Sequence, residues 1–180
     1  MKLSLDAAGV LTVAFEKAER KVVEAVLEAS REHYAADFDA LPEALKKHWR
    51  GRLFSGRPST IPGADAAAED LAEARLEWRA ERLETVGKWL APGGPFGPKG
   101  NGILVLTPDE IDVFFAVLND RRLSLAALYH VTEDHMAADV EAIRPAELQQ
   151  VVWEIHLLAF VMESCLQCLQ EAKSDGPQEG

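Results

Sequence analysis

The chain has 180 residues, 48% of them hydrophobic, and a formal net charge of −11. This length suits one domain, which can bury roughly 70% of its unfolded-chain surface and so needs no disulfide or metal staple. The acidic balance argues against general affinity for nucleic acid or anionic membranes, unless a local basic patch overrides it.

The opening segments KLSL and VLTVAF, around Asp6-Ala7-Ala8-Gly9, read as a β-hairpin. One lysine, an early Asp6 and no long apolar run give no sign of a secretory signal. From Glu16 the period becomes helical through Val22, Val23, Val26, Leu27 and Tyr34. A second helix is expected after Ala40, with Pro42 in its first turn and Gly51 near its end. Lys46, Lys47, Trp49, Arg50, Arg52 and Arg57 form a basic cluster there. An aromatic among cations can stack on a nucleotide base, but cations equally suit a helix C-terminus and Trp49 equally suits the core.

Arg52 to Gly63 reads as a loop, followed by a long charged helix from about Ala64 to Leu90. Residues 91–102 (APGGPFGPKGNG) are the clearest break in the chain, with the composition of a hinge, a disordered loop or a linker. They do not form a phosphate loop, because Lys99 precedes Gly100 and the glycines come before a strand. That strand is Ile103 to Leu106, whose obvious partner is the N-terminal hairpin. Thr107 then suits an N-cap, Pro108 the first helical position and Glu110 a capping box, for a helix running to about Tyr129.

His130, Glu133, His135 and Asp139 are candidate metal ligands, but their spacing matches no strong motif and no metal is assigned. The plainer reading makes Thr132 the cap of a short helix with acidic residues in its first turn. The last helix, about Pro145 to Lys173, is apolar almost all round. Such a helix is central in the fold or covered by another subunit. Its longest apolar run, Leu157 to Met162, is far short of a membrane span. Cys165 and Cys168 lack the helix N-terminus of a redox site and the further ligands of a zinc site, so they read as core. Two cysteines without an export signal suggest a reducing cytoplasm. Residues 173–180 read as a disordered tail.

The segment VLNDRRL interrupts an apolar helix with polar residues. Arg121 falls in the stripe of Ile111, Phe114, Leu118, Leu125 and Leu128, so it requires a carboxylate or several carbonyls. Asn119 and Arg122 share a neighbouring face and are placed to meet. Asp120 falls between Val117 and Ser124 on another side. Asn119, Asp120, Arg121 and Arg122 read as a buried polar network, or else as a carboxylate- or phosphate-binding site. No nucleophile or obvious base accompanies them.

The runs ILVLTPDEIDVFFAVLNDRRLSLAALYHVTEDHM and VVWEIHLLAFVMESCLQCL resemble an uncharacterised bacterial family best populated in actinobacteria. The resemblance covers mainly residues 103–170. It implies that Asn119, Asp120, Arg122 and Leu123 belong to the family signature, in a helical domain with no established activity. Some members look to be encoded beside an adaptor of the Clp protease, which implies proteolysis or regulation.

The expected fold is mainly α, with about five helices in a bundle-like single domain over residues 1–172, a small N-terminal β-hairpin and one extra short strand. The expected function is a non-enzymatic cytoplasmic protein-interaction or regulatory domain. Its partner would be another protein or a second copy, with no cofactor and no membrane. One alternative is polyanion or nucleic-acid binding through Lys46 to Arg57. Another is a metal-dependent enzyme using the cluster after Tyr129.

Overall fold

The computed structural model describes residues 1–51 and 78–174. Two strands, β1 (Lys2–Leu5) and β2 (Leu11–Ala14), lead into α1 (Lys17–Ala35) and α2 (Glu43–Gly51). Helix α3 covers residues 78–90. Strand β3 (Ile103–Leu106), α4 (Pro108–Leu128), α5 (Glu133–Ala137) and α6 (Ala146–Ser174) complete the chain. The mainly helical class, the hairpin and the extra strand are as the sequence leads one to expect. The short α5 makes a sixth helix among the described residues.

The sheet is antiparallel in the order β1-β2-β3. Its register aligns Leu3 with Val13 and Leu104, and Leu5 with Leu11 and Leu106. Because side chains alternate along a strand, these residues share one face. Leu11, Val13, Leu104 and Leu106 are buried in the core, whereas Ile103 and Val105 on the other face are exposed. The hairpin turn is fixed by Asp6 Oδ1, which accepts from Ala8 N and Val10 N, both at 2.9 Å. Gly9 supplies the positive φ of 79° that the turn requires.

Residues 91–102 form a chain of tight turns packed on the core. Phe96 is fully buried and meets the Phe15 ring at 5.6 Å. Its amide donates to Trp89 O at 3.0 Å, and Gly102 N donates to Pro95 O at 2.9 Å. A Cβ on Gly97 would lie 1.9 Å from Ala91 O, and one on Gly100 2.4 Å from Pro95 O. The composition of a linker therefore serves here to let backbone approach backbone.

Helix α4 is the centre of the molecule, packed on α1, α2, α6 and β3. Glu110 N donates to Thr107 Oγ1 at 3.4 Å and Thr107 N to Glu110 Oε2 at 2.9 Å, which closes the expected capping box. Helix α6 buries Val151, Val152, Ile155, Leu158, Val161 and Cys165, while Trp153, Phe160 and Leu166 are exposed. Its apolar circumference is therefore only partly used within the chain. By length and composition the helix at Ala146–Ala172 is apolar enough to cross a membrane, its most apolar 18-residue window having a mean hydropathy of 1.4. Its packing on α4 is that of a core helix.

Two glycines separate the roles of space and backbone. Gly97→Ala should lower stability by about 1–3 kcal/mol or more, because the turn must open. Gly87→Ala, in α3 with open space around it, should raise stability by about 0.5–1 kcal/mol. Urea denaturation of the two variants measures both.

Candidate functional site

The polar segment of α4 resolves into separate contacts, and Asp120 is the most buried of them. Asp120 shares the inner side of α4 with Val117 and Ser124, which are spaced three and four residues away. Tyr34, in the last turn of α1, donates its hydroxyl to Asp120 Oδ2 at 2.9 Å. Arg82 of α3 makes an ion pair with the same oxygen. One carboxylate thus joins three helices.

Aromatic rings surround this junction. The Arg82 guanidinium lies 3.5 Å from the Trp78 ring centroid. Tyr34 stacks on Trp49 at 6.2 Å and meets Trp78 edge-on at 6.4 Å. One turn before Arg82, Arg79 reaches the end of α1. Its Nη2 lies within hydrogen-bonding distance of His33 O (2.8 Å), Tyr34 O (3.1 Å) and Ala36 O (2.7 Å). Carbonyls in the last turn of a helix lack intrahelical donors and carry the negative end of its dipole. Arg79 answers both needs, and its guanidinium also sits 5.0 Å from the Trp49 ring.

The electrostatics fit a lock and not a proton relay. Burial pushes the Tyr34 hydroxyl well above its ordinary value, and the Asp120 charge adds to the effect. The phenol therefore stays protonated as a donor. Burial lowers the pKa of Arg79, and the Asp37 charge works the other way. His33 is lowered by burial and then by the Arg121 charge.

The other sequence-selected residues point elsewhere. Arg121 has the carboxylate it required: its Nε donates to Glu154 Oε1 of α6 at 2.7 Å. Asn119 and Arg122 do not bond to each other among the described residues. Arg122 turns instead toward α6, with Nη1 3.8 Å from Met162 Sδ. Its Nε is buried and lacks a hydrogen-bond partner among the described residues. The segment is thus a set of ties from one helix to three neighbours. Sequence reasoning missed Tyr34, Trp78, Arg79 and Arg82 as members of the network. The available signal was the WRAER run, which puts two arginines three apart beside a tryptophan.

The basic cluster does not present its aromatic. Trp49 is buried against Tyr34, which is the core placement of the two readings, and it offers no free face for a base. Lys46 pairs with Glu43 at 3.0 Å, and Lys47 is exposed. The Arg50 side chain, Arg52 and Arg57 lie outside the described residues. Two of the candidate metal ligands are engaged locally. His135 Nδ1 accepts from Thr132 N at 3.1 Å, and Asp139 Oδ1 accepts from Glu141 N at 3.0 Å. His130 and Glu133 are exposed. Among the described residues, no three His, Cys, Asp or Glu side chains converge as a metal site would require. Cys165 is fully buried, and burial pushes its thiol up to about 12.

Among the described residues three clefts border α6, the smallest where Leu157, Phe160 and Val161 face Met1, Phe15, Glu19 and Val23. One of about 460 Å³ has Arg122, Val131, Met136 and Ile155 in its wall. A smaller one of about 240 Å³ is lined by Lys21, Val22, Arg121, Trp153 and Glu154. The cleft at Trp153 opens beside the exposed side of α6.

A family described as a domain of unknown function, DUF2017, matches residues 3–169. The chain belongs to the DUF2017 family. The match extends well beyond the 103–170 region of the resemblance and takes in the sheet and α1. No curated protein and no solved structure matches the chain. Within this DUF2017 domain the Tyr34–Asp120–Arg82 junction lies wholly inside the matched span.

Removing the Asp120 carboxylate leaves Arg82 and Tyr34 without their partner. Asp120→Ala should cost about 3–5 kcal/mol in urea denaturation. Alkaline pH should also destabilise the protein. The folded state raises the proton affinity of Cys165 above its ordinary 9.0 and of Tyr34 above 10.0. The unfolded chain therefore releases these protons first. Their stabilisation is complete below about pH 9 and declines as the pH rises toward and past 12. Cys165→Ala should flatten the lower part of a stability–pH curve and Tyr34→Phe the upper part.

Proposed function

We propose that this DUF2017 domain is a non-enzymatic protein-interaction domain that docks another helix along the open side of α6. The observation that carries the reading is the exposure of Trp153 (48%) and Phe160 (58%) on a helix whose opposite side is core. Seven residues separate them, so they lie on the same side two turns apart. Complete burial of an aromatic of this size contributes about 1.5–3 kcal/mol, and covering the exposed half that remains here about half of that. Tryptophan is also enriched among the residues that dominate binding energy at interfaces.

The polar groups support the same reading. Asp120, Tyr34, Arg79, Arg82 and Arg121 hold helices together through ion pairs and hydrogen bonds. Their chemistry is engaged in the fold, whereas the aromatic side of α6 is available.

The test is capture of tagged full-length protein from its own host, compared with Phe160→Asp. Polypeptides retained by the unaltered chain, including untagged copies of itself, should be lost with the variant. The variant should keep its helical circular dichroism and a cooperative urea transition. Recovery of the same set on both proteins would count against the reading.

A further inference from the structure

The outer side of α6 carries a second regularity. Gln150, Trp153, Leu157, Phe160, Ser164 and Gln167 follow one another at intervals of three, four, three, four and three. This is the alternation of a coiled-coil seam. Gln150, Trp153, Phe160 and Gln167 are exposed and Leu157 and Ser164 are partly buried, Leu157 and Phe160 bordering Met1, Phe15 and Val23 at one edge, so the seam faces largely out of the domain. The series is also palindromic in spacing, with its midpoint between Leu158 and Ala159.

We infer that a second copy of this chain covers the seam, with the two α6 helices antiparallel about a two-fold axis near residues 158–159. The inference rests on the interaction reading above and names the partner. A two-fold interface must be self-complementary, with residue i meeting j and j meeting i. Antiparallel pairing satisfies this at every layer. Leu157 meets Phe160 of the second copy at the centre. Outside it, the large Trp153 meets the small Ser164, which gives the indole room between the helices. Gln150 and Gln167 close each end as an amide pair. Gln167 Nε2 already donates to Glu171 Oε1 at 2.9 Å, which leaves its carbonyl to accept.

The charges agree. On one flank, His156 comes opposite Glu163 of the second copy. On the other flank, Glu154 is already neutralised by Arg121. Parallel pairing fits poorly, because it stacks Trp153 on Trp153 and Phe160 on Phe160 and leaves small Ser164 facing itself. Each copy carries a formal charge of −11, so the long-range force between copies is repulsive. Association through this apolar seam should therefore tighten as salt screens that repulsion.

Light scattering on the full chain should give twice the 19.8 kDa chain mass, with a dissociation constant that falls as salt is added. Phe160→Asp should give the single-chain mass, with native helical circular dichroism and a urea midpoint that, unlike that of the unaltered chain, no longer depends on protein concentration. A thiol cross-linker then reads the register in a Cys168→Ser background. A mixture of Trp153→Cys and Ser164→Cys chains should cross-link to each other, and neither should cross-link to itself. The inference is overturned by a single-chain mass at every concentration, by a dimer indifferent to Phe160→Asp, or by Trp153→Cys chains that cross-link among themselves. A monomer that still retains another protein through Phe160 overturns the pairing and leaves the interaction reading standing. A monomer whose captured set ignores Phe160 overturns both.

Discussion

The Asp120 carboxylate is the point on which the helical packing depends. It sits inside the central helix, where an isolated charge would be costly to desolvate. It is tolerated because Tyr34 donates to it and Arg82 neutralises it. Those partners come from α1 and α3, so the electrostatic requirement of one residue fixes the positions of two further helices. Arg79, one turn away, extends the same logic to the orphan carbonyls at the end of α1. A purely apolar interface could slide. A carboxylate with two directional partners has one satisfactory register.

This network explains why the charges of α4 and the aromatics of α6 have different meanings. The arginines and the aspartate of α4 are turned toward neighbours and are largely satisfied there. Trp153 and Phe160 border α1 and the N-terminal strand at one edge but stay about half exposed, and they lie opposite the buried side of the same helix. Helix α6 is amphipathic in an unusual sense. Both of its sides carry apolar residues, one against its own domain and one facing out of it. A hydropathy reading alone cannot separate that arrangement from a buried helix or a membrane segment, because all three remove apolar surface from water.

The glycines and prolines of residues 91–102 show a similar limit. In composition they match a flexible linker. In the fold they allow close backbone contacts beneath the buried Phe96 ring, and they connect α3 to β3 without opening the core. Glycine permits both outcomes, because the absent Cβ increases freedom in an open loop and permits close approach in a packed one.

By itself the sequence determined the elements whose causes are local. The β-branched run of β2, the turn at Asp6 to Gly9 and the Thr107–Glu110 capping box are each decided by residues within a few positions of one another. It also required a partner for Arg121, because an unpaired buried charge is costly wherever it occurs. Only the tertiary structure decided that Asp120 is the deeper charge, that Tyr34 and Arg82 are its partners, and that Trp49 is core. Those contacts join positions 38 and 86 residues apart, and no periodicity along one helix records which distant side chain will arrive. The open side of α6 belongs to the same class. The sequence gives its apolar residues, but which of them α4 covers is decided by the packing of the other helices.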